Sequence, residues 1–330
     1  MFEDKIIFIT GGTGSWGQCL TKYLLKENIK EIRIYSRNEA TQVAMERKFH
    51  DERLNFIIGD VRDEKWLKET MKDVDYVFHL AALKHVPICE KYPEEAIATN
   101  INGTNNIIKA AVANNVKKVI AVSSDKAVSP YNVYGMTKAI EEKLIIAANK
   151  KNSTTKFVCI RAGNVMGSAG SVIPLFINQL RKNKVVTITD QQMTRFFITL
   201  DEAIELLIKA STISLGGEIL VMNMPSLKIV DLVDVLANHY ANNNYTKKYI
   251  GIRPGEKIHE ELISSIEIPY TYQLDEDYYL IVPTTMKAEL NHSYNNFNNY
   301  KKINIQSYNS EKNNLSYNQI DKRLKQGGFI

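Results

Sequence analysis

With 330 residues, 44% of them hydrophobic and 24% charged, the chain has the apolar content for one large or two modest cores, which excludes a disordered polypeptide. The net charge of +5 is mild, and Lys and Glu alternate along the predicted helices, so nucleic acid is not an expected partner. No apolar run approaches the roughly 20 residues of a membrane helix, and the N-terminus enters a strand directly, without a charged leader; a cytoplasmic protein with no membrane partner is expected.

Lys5–Ile9 is an apolar run, followed by Thr10-Gly11-Gly12-Thr13-Gly14-Ser15-Trp16-Gly17 and then Leu20, Tyr23 and Leu24 at helical spacing. That order predicts strand, tight loop and helix. Gly11, Gly14 and Gly17, with Thr13, Ser15 and Trp16 between them, follow a dinucleotide-binding pattern in which missing side chains let backbone N–H groups meet a pyrophosphate. No Lys-Ser or Lys-Thr follows the last glycine, which argues against a P-loop. The second strand, Ile32–Tyr35, ends in Ser36-Arg37-Asn38, where an NAD enzyme usually places an acid. Ser36 and Arg37 are therefore assigned to the 2′-phosphate of NADP, with Glu39 leaving NAD as the alternative.

Asn55–Gly59 is a third strand, with Asp60 and Val61 placed to meet the adenine. The fourth, Asp75–Leu80, holds His79 as a core histidine and leads through Leu80, Ala81 and Ala82, small enough for close cofactor approach, to Lys84 and His85 at the ligand edge. Pro93 to about Asn115 predicts a long helix with Ile97, Ile101, Ile107 and Ile108 inward. The fifth strand, Val119–Val122, runs into Ser123-Ser124-Asp125-Lys126. Beyond Pro130, Ile140, Leu144 and Ala147 or Ala148 predict a helix that sets Tyr134 and Lys138 one turn apart on one face. Tyr-x-x-x-Lys suits hydride chemistry on an alcohol, because an ammonium lowers the phenol's pKa from about 10. Tyr308 and Lys312 share the spacing but follow no strand, and read as solvated coil.

Thr155–Ile160 is a sixth strand whose exit carries Asn164, a candidate for cofactor or sugar-linked phosphate. The alternation predicts an α/β NAD(P)-binding Rossmann fold over 1–165, with elements near 185–212 returning to it, a smaller substrate-binding region over 166–290, and a C-terminal arm over 291–330. Arg195, in Met193-Thr194-Arg195-Phe196, and Arg253 and Glu256, in Gly251–Lys257, suit a diphosphate or a nucleobase and ribose. Thr199 with Glu202, and Ser316 with Gln319, have capping-box spacing. The Asn- and Tyr-rich stretch before Ser316 reads as an arm that docks on a neighbouring subunit or lies along its own chain. Cys19, Cys89 and Cys159 read as reduced core thiols, and no metal is expected.

Together Ile9–Ser15, Ile58–Asp63, Ala81–Pro87, Ser124–Ala127, Met193–Phe196 and Gly251–Lys257 resemble the extended short-chain dehydrogenase/reductase superfamily, most closely its inverting UDP-N-acetylglucosamine 4,6-dehydratases of polysaccharide and capsule-sugar biosynthesis. Asp125-Lys126 is the telling pair, since dehydratases that retain C5 carry Asp-Glu there. The resemblance implies UDP-N-acetylglucosamine as substrate and a homo-oligomer, dimer to hexamer, with the arm at a subunit contact. It also implies roles: Tyr134, helped by Lys138, takes the C4 hydroxyl proton, Ser124 orients that hydroxyl, Lys126 is the C5 base and Asp125 the acid for C6 water loss. Such a base must fall from about 10.4 to about 7, roughly 4 kcal/mol against its charged form. Ala169 stands where the family has an Arg facing substrate. A UDP-sugar 4-epimerase, a reductase and a non-catalytic NADP-binding sensor are the alternatives.

Overall fold

The apolar runs assemble into a ten-stranded, mostly parallel sheet in this computed structural model, which describes residues 1–151, 154–168, 170–288, 290 and 300–330. Strand β1 (Ile6–Thr10) is buried along its whole length, as a strand covered on both faces must be. It pairs in parallel with β2 (Glu31–Ser36) and with β4 (Tyr76–His79). Beyond β2 lies β3 (Leu54–Ile58), and beyond β4 lie β5 (Lys118–Ser124) and β6 (Lys156–Ala162). The order β3-β2-β1-β4-β5-β6 is that of a Rossmann sheet, and the chain reverses direction across the sheet between β1 and β4. Ile219–Met222 adds in parallel to β6, after which Tyr278–Ile281, Thr271–Gln273 and Lys301–Lys302 run antiparallel.

Elements of the second half return to this sheet at Leu200–Ile213, which packs against the helix α1 (Ser15–Leu24), and at Ile219–Met222. Val185–Ile188, expected there too, instead pairs with Thr246–Tyr249 in a separate two-stranded sheet. A second core gathers Ile173, Phe176, Val186, Leu232 and Leu236 with Ile320 and Leu324 of the terminal helix. That helix, Tyr317–Gln326, begins with the expected capping box and packs on Ile229–Ala241 of its own chain. Leu200–Ile213 has its Thr199–Glu202 box as well.

Two local expectations are corrected. Between Pro93–Ala96 and Gly103–Ala113 the helix widens into a π-helical stretch, Ile97–Asn102, which shifts the phase of its faces and leaves Ile97 exposed. The same widening turns Asn100 inward, where its side chain accepts from Leu83 N–H at 2.8 Å and donates to the Leu83 carbonyl at 3.0 Å. In Val133–Lys151, Ile140 faces solvent while Glu141 and Glu142 are buried. Finally, Tyr308 is not solvated coil: Tyr308–Asn309 pairs with Glu261–Ile263, and the Tyr308 hydroxyl accepts from Met224 N–H at 2.7 Å and donates to Asn223 at 2.9 Å. Residues 291–299 of the predicted arm, and Ala169, lie outside the described residues. Among the described residues no helix is long and apolar enough to cross a membrane.

Candidate active site

The carboxyl ends of β1, β4, β5 and β6 open on one cavity of about 760 Å³. Its first half is a nucleotide groove. Gly11 has φ +64°, and a Cβ there would lie 2.9 Å from Ala81 N, so the loops after β1 and β4 touch through backbone. Gly17 is not on the wall; a Cβ would come 2.3 Å from the Gly12 carbonyl, so this glycine seats α1 under the loop. Gly14 caps α1 without a side-chain bond, and a Cβ on it would meet only Gly11 O at 3.2 Å. The groove above it, walled by Thr13, Ser15 and Trp16, presents first-turn N–H groups to an anion.

Ser36, Arg37, Asp60 and Val61 also line the groove, as do Leu80, Ala81 and Ala82. Arg37 is half exposed with Nη1 3.9 Å from Asp60, free to turn toward a phosphate, whereas Asp60 is fixed by Arg62 at 2.7 Å. Asp60 is buried enough to resist ionising, yet the bonds from Arg62 hold its carboxyl below the usual range. The glycine cradle, helix terminus and groove lining fit a dinucleotide.

The second half gathers the reactive groups. Asn132 accepts from Gly135 N–H at 2.7 Å, capping the helix that carries Tyr134 and Lys138. A Cβ on Gly135 would fall 2.1 Å from the Lys126 carbonyl, so this helix start can press against the Asp125–Ala127 turn only as glycine. Tyr134 thereby stands on the cavity wall with Ser124. Ser124 donates to Asp125 Oδ1 at 2.6 Å, and Lys126 Nζ lies 3.2 Å from the same oxygen. Lys126 also donates to Glu260 Oε1 at 2.8 Å, and Lys138 to Glu141 Oε2 at 2.5 Å.

The electrostatics run against two expectations. Burial disfavours the Lys126 ammonium, but Asp125 and Glu260 beside it raise its pKa, the opposite of the fall expected for a base. Burial likewise opposes the Asp125 carboxylate, but the Lys126 ammonium and the bonds from its neighbours lower its pKa, the opposite of an acid's requirement. Tyr134 differs from expectation as well: burial raises its phenol more than Lys138 lowers it. Glu141, beside Lys138, is pushed up to about 7 by burial.

Lys84, His85, Asn164, Arg195, Arg253 and Glu256 all reach the cavity wall. Arg195 Nη1 donates to the Thr194 and Ile258 carbonyls at 2.7 and 3.1 Å, which fixes its guanidinium. Arg253 remains half exposed, 3.9 Å from Glu256. His79 is a core residue as expected, bonded to Thr10 and Thr104. Sequence reading missed Glu260, Glu141 and Ser310. Glu141 stands at i+3 from Lys138, a spacing that announces a helix ion pair. Glu260 gave no such signal, because a run of His259-Glu260-Glu261 reads as solvated until Ser310 closes over it, accepting from Glu260 N–H at 2.9 Å.

The family profile described as polysaccharide biosynthesis protein matches residues 7–282. The chain belongs to this family. A relative from Campylobacter jejuni, named UDP-N-acetylglucosamine 4,6-dehydratase (inverting), is 47% identical over 289 residues, covering 86% of this chain and 84% of the relative. This bears out the resemblance read from the motifs. A Rickettsia bellii relative named UDP-glucose 4-epimerase is 46% identical over 284 residues, covering 84% and 83%. Among solved structures, Pen from Bacillus thuringiensis superposes with a TM-score of 0.91 at 39% identity, covering 98% of this chain and 99% of that one. These sugar-nucleotide dehydratase and epimerase relatives mark this member of the polysaccharide biosynthesis family as an enzyme.

Proposed function

We propose that the chain is a UDP-N-acetylglucosamine 4,6-dehydratase that inverts C5 and uses bound NADP, releasing a 4-keto-6-deoxy sugar nucleotide of the L series. One observation carries the reading: Ser124, Tyr134 and Lys138 line one cavity with Asp125-Lys126 and the glycine cradle. An alcohol-oxidising set therefore stands beside a second acid–base pair, which simple oxidation does not need. The named dehydratase relative supports it.

Gly11, Gly14, Ser36, Arg37 and Asp60 would hold the dinucleotide, which when bound supplies hydride acceptance at C4 and hydride return at C6. Arg253, Lys84 and the fixed Arg195 suit the diphosphate end of the substrate. Tyr134, as phenolate, takes the C4 hydroxyl proton with Ser124 orienting that oxygen and Lys138 holding the negative charge. The C4 ketone acidifies C5–H, and Lys126 as free amine removes that proton, its electron pair moving toward the C4 oxygen. Because Asp125 is held ionised, its role is revised to orienting Ser124 and Lys126. The Lys126 ammonium then donates to the departing C6 hydroxyl. Of the two protons collected, by Tyr134 and Lys126, one leaves in water and the other balances the proton returned to C5 from the opposite face.

NMR with UDP-N-acetylglucosamine and NADP in D₂O tests this. A C6 methyl, a 4-keto group, deuterium at C5 and L-type couplings are expected. The 4-epimerase reading, which the Rickettsia relative's name favours, predicts an inverted C4 and an untouched C6.

A further inference from the structure

Lys126 meets the substrate as an ammonium unless something nearby takes its proton, and two carboxylates touch it. They are not equivalent. Asp125 stands on the cavity wall and accepts from the Ser124 hydroxyl at 2.6 Å, which favours its anion. Glu260 lies behind the wall, arriving from a segment 134 residues away, with its side chain 4% exposed. Its Oε1 accepts from Lys126 Nζ at 2.8 Å and faces Arg195 Nε at 3.1 Å, while Oε2 accepts from Asn164 Nδ2 at 2.7 Å. Both of its oxygens thus bind groups that themselves reach the cavity, though Glu260 does not.

We propose that Glu260 is the positioning residue that receives the proton of Lys126 and so makes Lys126 the C5 base, while its second oxygen and its Arg195 contact hold Asn164 and Arg195 in register with the substrate. This rests on the dehydratase reading. The N–H bond of Lys126 that points at Oε1 breaks and an O–H bond forms on Glu260. No charge leaves the pair, so the buried cluster loses none of its balance. The free amine then takes the C5 proton. The groups facing Glu260 divide over this transfer: burial and the Asp125 charge favour protonated Glu260, while Lys126 and Arg195 oppose it, and the balance lies upward. Lys257, on the same segment, is turned away to the Val128 carbonyl at 2.6 Å.

The internal acceptor has a signature. A proton passed within the pair makes C5 exchange nearly independent of pH above about 7, because burial and the Asp125 charge raise Glu260 to about 7 and only its ionised form can take that proton. With Glu260→Gln, Lys126 must lose its proton to solvent, and the exchange rate rises about tenfold per pH unit. The test follows C5 deuteration and C6 methyl formation against pH in wild type and E260Q, with reduced-nicotinamide absorbance recorded on substrate addition. Reduced nicotinamide appearing on E260Q shows a folded site that has oxidised C4 and stalled before C5. A wild-type profile flat over that range with a rising E260Q profile is the expected result. An E260Q profile parallel to wild type, at any rate, overturns the role of Glu260 and leaves the dehydratase reading standing. A wild type that forms no C6 methyl overturns the dehydratase reading, and this inference with it.

Discussion

Replacing Lys138 by Met removes the ammonium that Tyr134 is expected to use, and it also strands Glu141. Both side chains are buried, 3% and 1% exposed, and 2.5 Å apart. Among the described residues Glu141 Oε1 has no hydrogen-bond partner, so nothing else takes over the lost contact. Breaking a buried pair from one side costs about 3–5 kcal/mol. The cost carries a sign in pH. Wild-type Glu141 is raised to about 7 by burial, against the pull of Lys138; without that pull its pKa climbs further. Below about pH 7 both folded proteins hold the Glu141 proton and the stability gap is constant. Above it only the variant does, and because the unfolded chain does not, the gap widens by about 1.4 kcal/mol per pH unit until the variant's own pKa is passed. Urea unfolding at about pH 7 and about pH 9 measures this. Lys138→Met with Glu141→Gln removes the stranded acid, so the double variant regains about 2–3 kcal/mol at the higher pH yet stays inactive. A gap that does not change with pH, or a double variant no more stable than the single one, would refute the buried-pair reasoning; recovery of activity would refute the role of Lys138.

The glycine loop separates packing from ligand contact. Gly17→Ala drives a methyl to 2.3 Å from the Gly12 carbonyl and is expected to lower stability by at least about 1–3 kcal/mol, read as a fall in Tm, whereas Gly14→Ala meets only a 3.2 Å contact and should weaken dinucleotide affinity with little change in Tm. Arg37→Ala should weaken NADP binding by about 10- to 100-fold in titration calorimetry and leave NAD binding nearly unchanged, since the guanidinium makes one loose 3.9 Å contact in the protein itself. Ser310→Ala removes the acceptor of Glu260 N–H at 2.9 Å and the 2.7 Å partner of Thr194; it should cost about 1–3 kcal/mol in urea unfolding and raise KM for the sugar nucleotide through the adjoining Glu260 and Arg195. His79, buried and neutral, has its pKa driven down to about 3 by burial. The unfolded chain binds its proton below about pH 6.5 and the folded one does not, so stability falls by about 1.4 kcal/mol per pH unit from there toward pH 3, a slope that His79→Asn abolishes.

What was legible in the sequence was whatever depends on neighbours in the chain. The parallel sheet followed from apolar runs alternating with helical spacing, and the nucleotide loop from glycines whose role is to have no side chain. The grouping of Ser124, Tyr134 and Lys138 was legible because a strand end and one helical turn fix their separation. Ile97 was misplaced for a different reason. A π-helical stretch changes the phase that a 3.6-residue period assumes, and in Val133–Lys151 an apolar count does not foresee that Glu141 and Glu142 are buried beside Ile145 and Ile146. The charge states of Asp125 and Lys126 were illegible because they depend on Glu260, which approaches from 134 residues away. Tyr308 was read as coil because its partners, Met224 and Asn223, lie 84 and 85 residues back along the chain.

Each reactive ammonium in the site is backed by a buried carboxylate, and the two carboxylates come from different places. Glu141 is one helical turn from Lys138, so the side chains proposed to act at C4, with the carboxylate that backs them, all lie within residues 124–141, in the first half of the chain. Glu260 comes from the second half, and its backbone is held by Ser310 from within the predicted arm. The proton-transfer set therefore requires the C-terminal segment to be folded back onto its own chain, whereas the oxidising set does not. A Rossmann sheet that ended near β6 would have what is needed to oxidise an alcohol. What turns such a sheet toward elimination, on this reading, is the return of the distal chain behind Lys126.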